Sequence, residues 1–146
     1  MRVLLDSNIL ARATPGRSGA ATVLLSLIRP PHLLILSPFL LVELSRVLRY
    51  DRVRALHGLD DDAIDAYVLA LQQNAFVVDV PSLTSPEIVP HDPDDDPIVA
   101  TAIIGKADVL CTLDRHIRDV SVKKYCAEHG ISVLTDVELL RQLKQA

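Results

Sequence analysis

The sequence predicts an α/β fold of three layers, in which helices cover both faces of a central parallel sheet of five strands. Two observations support this prediction. Short apolar segments alternate with amphipathic segments along the chain, and the short segments are continuous apolar runs. Continuous runs are typical of strands that are buried on both faces, as in parallel sheets with helical crossovers. With 146 residues the chain is expected to form one domain, residues 1–146.

The individual elements follow from apolar runs, helical spacing and punctuating residues. The predicted strands are 3–5, 33–36, 75–80, 108–113 and 131–134. The predicted helices are 18–28, 38–50, 61–73, 98–104, 121–129 and a last helix after residue 135. Between the third strand and the fourth helix, segment 81–97 is rich in Pro and Asp and is predicted to be a loop.

Helix boundaries have their own signals. Ser37 and Pro38 supply an N-cap and a first-turn proline for the second helix. Asp60 is placed to cap the third helix. Thr135 and Glu138 have the spacing of a capping box, in which each side chain accepts a hydrogen bond from the backbone of the other.

Composition predicts an aliphatic core, because aromatic residues make up 3 % of the chain and Trp is absent. Cys111 and Cys126 lie in apolar or helical contexts and are expected to be reduced packing residues. No signal peptide is visible, and no apolar run approaches the ~20 residues that cross a bilayer. We therefore expect a cytoplasmic protein with no membrane partner.

Charge is unevenly distributed along the chain. Residues 1–58 contain eight Lys and Arg and three acids, whereas residues 59–120 contain three Lys and Arg and thirteen acids. The overall net charge of −4 does not indicate nucleic-acid binding by itself. The division nevertheless permits an acidic centre with a basic flank.

Four carboxylates stand at places that parallel sheets use for ligands. Asp6 directly follows the first strand and Asp114 follows the fourth, Asp96 stands at the start of a helix, and Glu43 lies one to two turns into the helix after the second strand. Ligands of open parallel sheets bind beyond the carboxyl ends of the strands, where the strand order reverses. The four acids are therefore expected to converge, provided that strands one and four are neighbours.

Such a cluster needs compensation. Two unit charges ~4 Å apart repel by about 4 kcal/mol at an effective dielectric constant near 20. Either the carboxyl pKa values rise or a cation binds. Oxygen ligands without His or Cys suit Mg²⁺ or Mn²⁺. Divalent ions held by carboxylates are typical of enzymes that cleave phosphodiesters.

Four segments, read in order, resemble the PIN-domain family, which includes toxin ribonucleases of bacteria: "LLDSNIL", "SPFLLVELSRVL", "DPDDDPIVATAI" and "DVLCTLDRHI". The resemblance implies the strand order 3-2-1-4-5 and a metal site formed by Asp6, Glu43, Asp96 and Asp114. It further implies an endoribonuclease that cleaves single-stranded RNA with Mg²⁺ or Mn²⁺, as the toxin of a toxin–antitoxin pair. The implied partners are RNA and a cognate antitoxin, and a homodimer is left open.

The resemblance also guides finer assignments. Among the consecutive acids Asp94, Asp95 and Asp96, the last is favoured because Ala100 follows it by four residues, as in the D-x-x-x-A helix start of the family. It implies that Asn8 and Thr112 belong to the polar surroundings of the metal. The sequence departs from the family at residue 113, where leucine replaces the usual small residue, which predicts a narrower crevice.

Several alternatives stay open at this point. Each acid alone could be an ordinary turn, cap or surface residue. A phosphatase of the haloacid-dehalogenase type also has an Asp after strand one, but it needs a second Asp where this chain has Asn8. A receiver-type signalling module fits poorly, because it needs paired acids after strand one. The non-enzymatic alternative is a PIN-like scaffold that binds RNA or protein without cleavage.

Basic residues could form the RNA surface or the docking face of an acidic partner. They are Arg12, Arg17, Arg46, Arg49, Arg115 and His116. An antitoxin is expected to place an Arg or Lys among the four acids, because a cation would pair with the carboxylates. Its apolar segment is expected nearby, on the helix that bears Leu40, Leu44 and Leu48.

Overall fold

The protein is built on an all-parallel sheet of five strands. The computed structural model describes residues 1–80 and 96–145, without the side chain of Asp96. The strands are β1 (Arg2–Leu5), β2 (Leu33–Leu36), β3 (Phe76–Val77), β4 (Val109–Cys111) and β5 (Ser132–Leu134). Their order, β3-β2-β1-β4-β5, confirms the predicted order and places β1 beside β4.

Helices flank the sheet, which confirms the predicted α/β class. They are α1 (Ser7–Leu10), α2 (Ala20–Leu27), α3 (Pro38–Val47), α4 (Asp51–His57), α5 (Asp61–Asn74), α6 (Asp96–Ile104), α7 (Val120–Glu128) and α8 (Asp136–Gln145). Helix α3 contacts α1 and α5, α6 packs on β2 and β4, and α7 packs on β5. Since β2 and β4 are the two neighbours of β1, α6 lies against the centre of the sheet.

The predicted caps are present. The Ser37 hydroxyl accepts a hydrogen bond from the Leu40 backbone N–H, and Asp60 accepts one from the Ala63 N–H. Thr135 and Glu138 form the reciprocal capping box, with each backbone N–H donating to the side chain of the other residue. These bonds satisfy N–H groups that have no partner within their own helix.

The helix predicted to run to residue 50 instead ends at Val47, and the helix α4 that follows was not predicted. Helix α4 contains no fully buried residue, and Val53 packs only partly against the core, so its sequence has no clear apolar stripe that spacing could reveal. It ends at Gly58, which adopts a left-handed conformation with φ 67°. Glycine suits this position because it has no Cβ to clash with the backbone. The short helix α1 was also not predicted.

The third strand is shorter than predicted. Segment 75–80 contributes only Phe76 and Val77 to the ladder, and their side chains are 51 % and 37 % exposed. In the described residues β3 is the outermost strand on its side of the sheet. The exposure of its side chains shows that it is not buried on both faces, as its apolar run suggested. Strand β4 likewise covers 109–111 rather than 108–113. In the predicted loop 81–97, residues 96 and 97 belong to α6, and 81–95 lie outside the described residues.

The core is aliphatic, as composition predicted. Leu4, Leu5, Ile35 and Leu110 are fully buried at the centre of the sheet. Cys111 and Cys126 are buried free thiols, with no disulfide between them. In the described ranges, no helix has the length and apolarity that a membrane span requires.

Replacing Gly105 by alanine is expected to destabilise the fold by about 1–3 kcal/mol, because the added methyl overpacks the core. A Cβ at this position would lie 2.6 Å from the Ile35 side chain and 2.9 Å from the Thr101 carbonyl oxygen. Both neighbours are buried, so neither can move away freely. Urea denaturation of the variant measures the loss, and an unchanged midpoint would contradict this close approach.

Candidate active site

Strand β1 delivers Asp6 to the carboxyl edge of the sheet. Its backbone N–H donates to the Cys111 carbonyl at 3.0 Å, which extends the pairing with β4, and its side chain caps α1. One carboxylate oxygen accepts the Ser7 N–H at 2.7 Å, and the other accepts the Thr112 hydroxyl at 2.8 Å. The Asn8 amide donates to this second oxygen at 3.4 Å. Asp6 is only 2 % exposed, so the carboxylate is held inside the protein by neutral donors.

The turn after β4 is tied to Asp6 through the same two side chains. The Thr112 hydroxyl oxygen accepts the Asp114 N–H at 3.0 Å, and the Asn8 carbonyl oxygen accepts the Leu113 N–H at 3.1 Å. Asn8 and Thr112 are also in contact, at 3.3 Å. Both residues therefore surround Asp6 and fix the backbone that carries Asp114. That they also surround a metal ion, as the resemblance implies, stays a prediction.

Glu43 reaches the site from α3. Its Oε1 accepts a hydrogen bond from the Ser7 hydroxyl at 2.6 Å. Ser7 is buried, and its backbone N–H binds Asp6 while its hydroxyl binds Glu43. Sequence analysis assigned no role to Ser7. The available signal was a hydroxyl directly after Asp6, on a first helical turn that packs against α3.

Electrostatics also connect the three described acids. The pKa of Asp6 is raised to about 6, first by burial and further by the charges of Glu43 and Asp114. The hydrogen bonds from Thr112 and Ser7 favour the charged form but do not offset the burial. Without a cation, mutual repulsion was expected to raise the pKa values of the clustered carboxyls, but for Asp6 burial contributes more than the charges of Glu43 and Asp114.

Asp96 is the first residue of α6, and its side chain lies outside what the structure describes, as do Asp92, Asp94 and Asp95. Considering only the described His, Cys, Asp and Glu side chains, no group of three or more could hold a metal ion. The three described acids thus influence one another without forming a complete metal site. The four-acid site stays a prediction.

Among the basic residues considered above, Arg49 pairs with acids of α5. It binds Asp65 at 2.8 Å and lies 3.4 Å from Asp61, so it links the turn between α3 and α4 to α5. The side chains of Arg12, Arg46, Arg115 and His116 are exposed. At the turn after β4, Leu113 is half-buried and packs against the core. Whether it narrows the crevice stays a prediction.

Docking of an antitoxin on α3 stays a prediction, but the three leucines that identified this helix cannot be the contact residues. Leu40, Leu44 and Leu48 are fully buried in the core. The exposed apolar side chains of α3 are instead Phe39 and Val42, and Val42 is 68 % exposed. Phe39 lies four residues before Glu43 and therefore on the same side of α3, so the exposed apolar surface of this helix includes a neighbour of that acid.

Comparisons with known proteins agree with this architecture. A chain of the VapBC2 complex from Rickettsia felis, solved bound to a DNA fragment from its promoter, matches with a TM-score of 0.57 and 14 % identity. The match covers 92 % of this chain and 98 % of that chain, and at this identity it shows a shared fold.

No curated protein matches the sequence. A family model described as a PIN domain matches residues 2–116. PIN domains are generally nucleases that use divalent metal ions. Because the matched residues make up most of the chain, this protein belongs to the PIN-domain family.

Proposed function

We propose that this protein is an endoribonuclease that cleaves single-stranded RNA and requires Mg²⁺ or Mn²⁺. The principal support is the environment of Asp6, a buried carboxylate near the charges of Glu43 and Asp114 whose described hydrogen-bond donors are all neutral. A bound divalent cation would offset this negative charge. Membership of a family that consists generally of nucleases supports the same conclusion.

The proposed ligands are Asp6, Glu43, Asp96 and Asp114. Carboxylate oxygens are the donors that Mg²⁺ and Mn²⁺ prefer, so the chemistry of this set fits the ion. When bound, the ion would activate a water molecule for attack and offset charge on the scissile phosphate. The chain itself contributes orientation, because Thr112 and Ser7 fix Asp6 and the Ser7 hydroxyl fixes Glu43.

The direct test incubates purified protein with single-stranded and double-stranded RNA of defined sequence, with Mg²⁺, with Mn²⁺ or with excess EDTA. We expect internal cleavage of the single-stranded RNA that requires a divalent ion. Cleavage that persists in EDTA would contradict the metal requirement. Binding of RNA without any cleavage under these conditions would favour the non-catalytic scaffold instead.

Replacing Ser7 by alanine is expected to weaken binding of Mn²⁺ by about tenfold, since residues that orient metal ligands typically contribute 10–100-fold to affinity. The variant leaves Glu43 without its 2.6 Å hydrogen bond but keeps the backbone bond to Asp6. Isothermal titration with Mn²⁺ measures the change. Ser7→Thr retains the hydroxyl and serves as the control, and equal affinities of alanine and wild type would refute the role of Ser7.

We further propose that the protein is the toxin of a toxin–antitoxin pair. The structural neighbour is part of a complex named VapBC2, and the fold is shared along almost the full length of both chains. The proposed antitoxin inserts a Lys or Arg among the acids and covers the exposed Phe39 and Val42 of α3. Phe39 lies one helical turn before Glu43, so one segment can reach both features.

Expression of the protein alone is therefore expected to slow bacterial growth, because RNA cleavage depletes messages, and Asp6→Asn is expected to relieve the effect. Growth curves after induction measure this, with the product of a neighbouring gene co-expressed as rescue. A harmless wild-type protein with no co-purifying neighbour would eliminate the toxin assignment, while the nuclease assay above would still decide the activity.

A further inference from the structure

Two buried hydroxyls connect the helix that carries Glu43 with the helix that begins at Asp96. Ser37, the N-cap of α3, and Thr101, in the middle of α6, are both fully buried. Their hydroxyl oxygens are 3.0 Å apart. The Ser37 oxygen also contacts the Leu40 N–H at 3.3 Å, and Thr101 donates to the Pro97 carbonyl at 2.6 Å.

These contacts form one continuous chain of hydrogen bonds. Each hydroxyl has one hydrogen and can both donate and accept. All the contacts are satisfied together when the Leu40 N–H donates to Ser37, Ser37 to Thr101, and Thr101 to the Pro97 carbonyl. Because Leu40 lies in the first turn of α3 and Pro97 in the first turn of α6, this series of hydrogen bonds joins the beginnings of the two helices.

The remaining contacts of α6 are less directional. The helix packs on β2 and β4 with fully buried apolar residues such as Ile98, Val99 and Ala102. Apolar contacts gain free energy from buried area and tolerate small sliding or rotation, whereas hydrogen bonds weaken steeply with distance and angle. At its carboxyl end, α6 is followed by Gly105, which closely approaches Ile35 of β2. The hydroxyl pair is the corresponding restraint at the amino end.

We propose that Thr101 is a positioning residue: through Ser37 it fixes the first turn of α6, and with it Asp96, relative to α3 and Glu43. The inference rests on the proposed metal-dependent function, since its purpose is to hold two acids from different helices at one ion. Loss of the link shifts α6 slightly against α3 without unfolding it, and the cost falls on metal affinity.

The test measures Mn²⁺ affinity by the electron paramagnetic resonance signal of free Mn²⁺, together with urea denaturation of each metal-free protein. Thr101→Val removes the hydroxyl at nearly constant volume and is expected to weaken Mn²⁺ binding about tenfold. Thr101→Ser keeps the hydroxyl and is expected to stay close to wild type. Thr14→Val is the matched control, because the buried hydroxyl of Thr14 has no hydrogen-bond partner among the described residues.

Wild-type affinity in Thr101→Val, or equal losses in Thr101→Val and Thr14→Val, would overturn the positioning role. A wild-type protein that binds no Mn²⁺ would instead refute the proposed function, and the positioning role with it. If Thr101→Val does not fold, Ser37→Ala breaks the link from the other side. Its control is Asp60→Ala, which also removes a helix N-cap, but one in α5 that takes no part in the link between Ser37 and Thr101. Only Ser37→Ala is expected to lose Mn²⁺ affinity, and equal behaviour of the two cap variants would overturn the proposal.

Discussion

Asp6→Asn is expected to abolish RNA cleavage, with a loss of more than about 100-fold, while the protein remains folded. Asparagine has nearly the same shape as aspartate, so the Ser7 N–H keeps an oxygen acceptor. The substitution removes the one acid that the structure shows held by three neutral side-chain and backbone donors. A loss larger than the 10–100-fold typical of residues that merely orient metal ligands would identify Asp6 as a ligand.

The control is Asp62→Asn, which removes the same charge from an exposed position in the first turn of α5. It is expected to cleave RNA at the wild-type rate. Asp96→Asn is expected to behave like Asp6→Asn, whereas Asp94→Asn and Asp95→Asn are expected to stay active. Full activity of Asp6→Asn, with circular dichroism showing a native fold, would end the metal mechanism proposed for this chain.

The second large effect is on stability and pH. In the folded protein the pKa of Asp6 is raised from 3.8 to about 6, so between these values the folded state holds a proton that the unfolded state has lost. Folding stability from this group is therefore fully present below pH 3.8 and is lost as pH rises through 6. A difference of about two pKa units corresponds to about 3 kcal/mol. In the metal-free protein, Asp6 should therefore contribute less to folding stability at pH 7 than at pH 4.

Other acids titrate with the opposite sign. The pKa of Glu138 is lowered by its hydrogen bonds to Thr135, and that of Asp61 by the neighbouring Arg54, so both favour the folded state as pH rises. Comparing wild type with Asp6→Asn cancels these contributions, because both proteins contain them. In EDTA, we expect the stability of Asp6→Asn relative to wild type to rise by about 2 kcal/mol between pH 4 and 7. Urea denaturation at each pH measures this difference, and parallel profiles would show that Asp6 is not the titrating group.

Divalent ions should restore the folding stability that the metal-free protein loses as Asp6 becomes charged. Millimolar Mn²⁺ at pH 7 is expected to raise the melting temperature of the wild type, because the ion binds the folded acids in preference to the unfolded chain. Asp6→Asn should show a much smaller rise. A wild-type scan that does not shift with Mg²⁺ or Mn²⁺ would argue that the acids do not gather around an ion.

The sequence predicted the site best where the backbone alone determines position. Asp6 and the residues after Cys111 meet because parallel strands end at one edge, and this follows from continuous apolar runs once the strand order is known. Ser7 could not be assigned in this way, because its role depends on a side-chain rotamer that reaches a helix more than thirty residues later. Helix α4 was missed for a different reason: it has no fully buried residue and packs on the core through the partly buried Val53, so its hydrophobic spacing is a weak signal.

The two buried thiols can report how often different parts of the fold open. A thiolate reacts with alkylating reagents far faster than a thiol. Burial raises the pKa of Cys126 to about 11 and that of Cys111 still further above the ordinary range. Native protein should therefore resist alkylation until it opens. Cys111 lies in β4, an interior strand of the sheet, and Cys126 lies in α7 beside β5. Alkylation rates measured by mass spectrometry would thus report two events separately: the detachment of α7, and the separation of β4 from the sheet next to Asp6.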